Sequence, residues 1–87
     1  MKDLATKHSR DSIDTFVRTL IQDMGVEASE ISESANLEDL GLDSLDVVEL
    51  SQGVKKQLLI PVAPGDFANV VTIADAVTLI AEKAGIA

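Results

Sequence analysis

Leu40-Gly41-Leu42-Asp43-Ser44-Leu45-Asp46 lies where a long loop turns into a helix, and the rest of the chain is organised around it. Gly41 permits a backbone turn that a side chain would resist. Asp43, Ser44 and Asp46 put short polar and acidic groups at a helix start, where first-turn N–H groups and the helix dipole favour them. From Ser44 the helix is expected to run to about Leu58, with Leu45, Val48, Val54 and Leu58 as its apolar face and Val47 and Leu50 flanking. Gly53 inside it costs roughly 0.5–1 kcal/mol relative to Ala, which points to a close helix crossing.

Upstream, Ile13, Phe16, Val17, Leu20, Ile21 and Met24 recur at helical spacing and define a first amphipathic helix. Ser9 or Ser12 suits its N-cap and Gly25 its left-handed stop. Residues 26–43 are a long connection, with a helical turn expected near Asn36-Leu37-Glu38-Asp39. A loop of that length in a small domain is functional or packed down by its own side chains. Downstream, Pro61 and Pro64 break the pattern, and a short third helix is expected around Asp66–Val70. Thr72 then caps a last helix with Ile73, Val77, Ile80, Ala81 and Ala84 on one face and Gly85 at its end. No segment alternates with a period of two. The expected fold is all-α: a small four-helix bundle of three longer helices and one short third helix, with a long loop between the first two.

At 87 residues the chain makes one domain, assigned to residues 9–87, with residues 1–8 as a flexible tail. That tail has no continuous apolar stretch, so it is not expected to be a signal peptide. No apolar run approaches the ~20 residues that span a bilayer, so membrane insertion is not expected and a cytoplasmic location is. Apolar residues are 46% of the chain but Phe16 and Phe67 are its only aromatics, so the core is aliphatic. There is no cysteine, which excludes disulfides and thiolate metal sites.

The net charge of −8 is not spread evenly. Glu27, Glu30, Glu33, Glu38, Asp39, Asp43, Asp46 and Glu49 lie between Val26 and Leu50 with no Lys or Arg among them. The remaining seven acids match the seven Lys and Arg, so this block holds the whole excess. A focused negative surface suits basic partner proteins and repels nucleic-acid backbones.

Ser44 is a poor candidate for a catalytic nucleophile. Serine catalysis needs a base and an orienting group. The one histidine, His8, falls in the tail, and no G-x-S-x-G elbow occurs. The acids lack the spacing of a calcium loop. No catalytic and no metal-ligating residue is therefore assigned. What the position offers is a hydroxyl at a positive helix end, a favourable field for a phosphate.

The stretch Asn36-Leu37-Glu38-Asp39-Leu40-Gly41-Leu42-Asp43-Ser44-Leu45-Asp46-Val47-Val48-Glu49-Leu50 resembles the modification site of acyl carrier proteins. That signature runs from an acidic residue through Leu-Gly, any residue and Asp-Ser-Leu into an acid-rich helix. The likeness in layout covers about residues 9–84. It implies that Ser44 bears 4′-phosphopantetheine, transferred from coenzyme A by a separate Mg²⁺-dependent phosphopantetheinyl transferase. It further implies that Asp43 helps place that enzyme, and that Leu45 packs toward the core while presenting a recognition surface. Asp46 and Glu49 would face basic partners: acyl-loading, ketosynthase or acyltransferase-type enzymes. Ile60, Val62, Phe67, Val70 and Val71 are candidates for a slot that shelters an acyl chain. A monomer is expected.

The chain departs from the fatty-acid type of this family in its later half. Lys55 and Lys56 stand where acids would continue, and Pro64-Gly65-Asp66-Phe67-Ala68-Asn69 holds one acid. This points to a carrier of acyl or polyketide intermediates for a specialised pathway. Two alternatives stand beside it. One is an unmodified acidic helical adaptor for a basic partner, with Ser44 as a plain N-cap. The other is an aminoacyl or peptidyl carrier, which more often shows Gly-Gly where this chain has Gly41-Leu42.

Overall fold

A computed structural model describes residues 8–86. The tail expected over residues 1–8 lies outside the described residues except for His8. Three α-helices carry the fold: α1 (Arg10–Asp23), α2 (Ser44–Gly53) and α3 (Ile73–Lys83). A 3₁₀ helix at Pro64–Phe67 takes the place of the short third helix. No strand occurs among the described residues, so the architecture is the expected small helical bundle.

Each α-helix opens with the same device. The Ser9 hydroxyl accepts a hydrogen bond from the N–H of Ser12 at 3.1 Å, and the Ser12 hydroxyl accepts one from the N–H of Ser9 at 3.0 Å. Thr72 and Asp75 do the same for α3. These reciprocal bonds satisfy first-turn donors that a helix cannot satisfy internally. α1 and α3 also end alike. Gly25 and Gly85 take positive φ, and the N–H groups of Val26 and Ile86 reach back to Ile21 and Ala81. That closure favours glycine, which has no Cβ to clash in the left-handed region.

The core is aliphatic. Ile13, Val17 and Ile21 of α1 meet Leu50 and Val54 from α2 and its extension, and Ile73, Val77 and Ile80 of α3; all are buried. Phe67 plugs the space between the short helix, α2 and α3. Gly53 marks the close approach expected of it: a Cβ there would stand 2.8 Å from Leu20 Cδ2.

The long loop is packed down. Ile31 and Leu37 are buried in the core. Arg18 donates to Asp14 at 2.8 Å and to the carbonyl of Ile31, tying the loop to α1. Asn36 forms an antiparallel bridge with Thr72, and the N–H groups of Ile73 and Ala74 bond the carbonyls of Ala35 and Glu33. The loop thus supplies acceptors to the open start of α3.

Three sequence expectations need correction. Leu45 does not join the apolar face of α2 or pack toward the core; it is 75% exposed, and the buried residues are Leu50, Ser51 and Val54. Ser51 is tolerated inside because its hydroxyl donates to the carbonyl of Val48 at 2.8 Å. The helix runs on to Leu58 as expected, but Val54–Leu58 is wound as a π-helix and closes on Leu59 in the left-handed region. The short third helix starts earlier than Asp66, because Pro64 pre-sets a helical φ and Asp66 accepts from the N–H of Ala63 at 2.9 Å.

Candidate functional site

Ser44 is the first residue of α2, one position inside the cap. The cap is Asp43, whose Oδ1 accepts from the N–H of Asp46 at 3.1 Å. Asp46 Oδ2 in turn accepts from the N–H of Asp43 at 3.0 Å. The two acids close a ring of hydrogen bonds around the serine, and among the described residues nothing takes its hydroxyl. A plain N-cap role for Ser44 is therefore excluded, because that role is filled next door. Ser44 is exposed.

The electrostatics at this hydroxyl are set by the helix start. The N–H groups of Ser44 and Leu45 have no intrahelical acceptor, being first-turn donors. Together with the helix dipole they make a field that suits a phosphodiester oxygen. Asp43 and Asp46 partly oppose it, although each carboxylate already spends one oxygen on the cap.

Two shallow depressions meet at Ser44. One is lined by Asn36, Leu37, Glu38 and Leu42 from the loop, Val47 of α2, and Val70 and Val71 before α3. The other is almost wholly apolar and is lined by Val47, Val48, Pro64, Gly65, Phe67 and Ala68. The structure thus brings Phe67, Val70 and Val71 beside Ser44. It does not bring Ile60 or Val62 there: neither lines either depression, and both are buried in the core. The loop residues Asn36 and Leu37 escaped the sequence reading because their place follows from long-range pairing, including the 2.9 Å bond from Leu37 N–H to the carbonyl of Val71.

The predicted recognition residues also gather here. Leu45 and Glu49 are exposed on the outer side of α2, Asp46 is half-buried in the cap, and Asp43 is exposed. Away from this site, two carboxyls are held below their ordinary value. Asp75 is lowered chiefly by the N–H groups of Thr72 and Val71, and Asp66 chiefly by that of Ala63, with Lys83 at 3.4 Å adding to it. Both stabilise helix starts. Among the described residues no three His, Cys, Asp or Glu side chains gather as a metal site would require.

Ser44 thus stands at a helix start between two open depressions, one of mixed polarity and one apolar. Residues 14–80 match the family model described as a phosphopantetheine attachment site. The acyl carrier protein of Thermotoga maritima is 35% identical over 79 residues, covering 88% of this chain and 98% of that protein. The chain belongs to the acyl carrier proteins, the carriers of covalent 4′-phosphopantetheine. Such a protein is a carrier and not a catalyst, and works with a phosphopantetheinyl transferase and with biosynthetic enzymes. Among the described residues no helix is long and apolar enough to cross a membrane.

Proposed function

We propose that Ser44 is the attachment residue and that the protein carries acyl or polyketide intermediates for a specialised pathway. The observation that carries this reading is the exposed Ser44 at the first position of α2, its hydroxyl unbonded among the described residues, with Asp43 and Asp46 performing the capping beside it. The surroundings fit the group: first-turn N–H donors suit its phosphate, and the depressions offer ground on either side. In the transfer, Ser44 Oγ forms the new P–O bond, a pyrophosphate bond of coenzyme A breaks, the nucleotide leaves, and the hydroxyl proton passes to the transferase. Once in place, the group supplies a terminal thiol on which cargo is held as a thioester.

The chain's own residues then act by position. Leu45 and Glu49 present the outer face of α2 to partners, and Asp43 and Asp46 add negative charge at its head. Phe67, Val70 and Val71 form the wall against which an attached acyl chain shelters. Lys55 and Lys56 favour dedicated acyl-loading, ketosynthase or acyltransferase-type enzymes over those of the general fatty-acid cycle. The protein works as a cytoplasmic monomer.

The test is the intact mass before and after incubation with coenzyme A, Mg²⁺ and a broad-specificity phosphopantetheinyl transferase, beside Ser44→Ala. One added phosphopantetheine on the wild type alone is expected. A gain on the variant too would move the attachment elsewhere. No gain on folded wild type, with the transferase active on another carrier, would sink the assignment.

A further inference from the structure

The outer side of α2 carries a pattern that neither the cap nor the core explains. Leu45, Glu49, Gln52 and Lys56 recur at i, i+4, i+7 and i+11, one stripe of a helix, and all four are exposed. Leu45 leaves 75% of its surface open, which is a large exposed apolar side chain at the stripe's head. The stripe changes sign along its length. Glu49 stands in its first half and Lys56 in its last, while Asp46 and Lys55 flank it on opposite sides. Neither lysine is ion-paired with a described carboxylate.

From Glu49 to Lys56 the helix rises about 10 Å at about 1.5 Å per residue. That exceeds the ~8 Å screening length at physiological ionic strength. A docked partner therefore meets two separate charged surfaces, not one averaged charge. A uniformly basic groove gains at the first half and is repelled at the second.

We propose that the client enzymes docking along α2 and its extension present a bipolar surface: basic opposite Glu49 near the head of the helix, with an apolar socket for Leu45, and acidic about 10 Å further on, opposite Lys56. This deepens the carrier reading and rests on it for direction, since the basic end lies beside the attachment residue. Charge complementarity selects the occupant. A second copy of the chain would satisfy the same stripe in antiparallel pairing, but it brings a further net charge of −8 against it.

The test titrates the ¹⁵N-labelled full chain, at physiological salt, with two helical peptides of about 16 residues and identical composition. One segregates Lys into one half and Glu into the other; its partner mixes them along the face. Equal net charge removes non-specific attraction from the comparison. The segregated peptide is expected to bind at least about 5-fold tighter, a difference within reach of a few rim contacts. It should shift the amides of both Glu49 and Lys56. Lys55→Glu with Lys56→Glu should bring the preference to within about twofold, with a thermal melt confirming the fold.

Equal binding, no binding of either peptide, or a preference that survives the double variant overturns the proposal. Shifts along the stripe that grow with protein concentration alone assign it to a second copy and overturn it as well. The peptides need no prosthetic group, so this result is independent of the mass gain at Ser44. Each reading can fail without the other.

Discussion

Asp43 and Ser44 are neighbours with opposite expected sensitivities. Asp43→Ala removes the side-chain acceptor for the N–H of Asp46, a cap worth about 0.5–2 kcal/mol. It also removes an acid from the positive end of α2, worth about 0.3–1 kcal/mol. The sum, about 0.8–3 kcal/mol, lowers the melting temperature by roughly 3–24 °C for a domain of this size. Asp43→Asn keeps an accepting oxygen and loses only the charge, so a fall of a few degrees is expected. Ser44→Ala breaks no hydrogen bond and gains slightly in helix propensity, so it should stay within about 0.5 kcal/mol of wild type. Thermal melts followed by far-UV circular dichroism order the three variants. Ser44→Ala melting as low as Asp43→Ala would refute the assignment of the cap. The same variants separate a second role. If the Asp43 charge helps place the transferase, Asp43→Asn loses transfer rate while keeping its fold. Full rate in Asp43→Asn would confine Asp43 to capping.

The two lowered carboxyls set an acid limit. A carboxyl whose pKa falls below its ordinary 3.8 on folding stabilises the fold above that value, and the contribution is lost as pH drops through the lowered pKa. Stability should therefore decline below pH 3.8, and Asp75→Asn, which still accepts from Thr72, should flatten that decline; a variant that tracks wild type throughout would refute the linkage. Gly53→Leu forces atoms into a gap where even a Cβ lies 2.8 Å from Leu20 Cδ2, and should cost about 1–3 kcal/mol in urea unfolding. Gly53→Ala displaces only the tip of Leu20 and regains about 0.5–1 kcal/mol of helix preference, so the two effects should nearly cancel. Val71 is 54% exposed, so Val71→Ser should leave stability within about 0.5 kcal/mol. It should also weaken the dependence of NMR shifts near Ser44 on acyl-chain length; identical spectra with short and long chains on wild type would remove the slot.

What was legible in the sequence follows from what is local. α1 and α3 could be read because their caps, apolar stripes and stop glycines lie within one stretch each, and Ser9, Gly25, Thr72 and Gly85 do what their positions imply. The extent of α2 was legible and its facing was not. Periodicity counts Leu as buried and Ser as exposed, yet Leu45 lies in a first turn that projects beyond the core, and Ser51 enters the core by bonding its own helix. The π-wound turn at Val54–Leu58 leaves no mark in a pattern of apolar residues. The loop needed the bridge from Asn36 to Thr72, a pairing across 36 positions that no local signal announces. In the candidate site, the motif singled out Ser44, which the structure places exposed at the first position of α2. Phe67, Val70 and Val71 proved to be beside it, while Ile60 and Val62 resemble them in sequence and differ only in where the chain takes them.

On the attachment proposed for Ser44, the arrangement at the head of α2 explains why a serine and two acids occur together there. A serine that capped the helix would have its hydroxyl committed to a backbone N–H, and joining a group to it would disturb a bond worth about 0.5–2 kcal/mol to the fold. Moving the cap to Asp43, and closing it with Asp46, frees the hydroxyl without opening the helix start. The acids then oppose an added phosphate electrostatically, but the unbonded N–H groups of the first turn and the helix dipole act in its favour. The helix start is thus held by groups that attachment does not consume. A carrier that passes between unmodified, modified and loaded forms needs that property, because its partners must meet the same α2 surface in each.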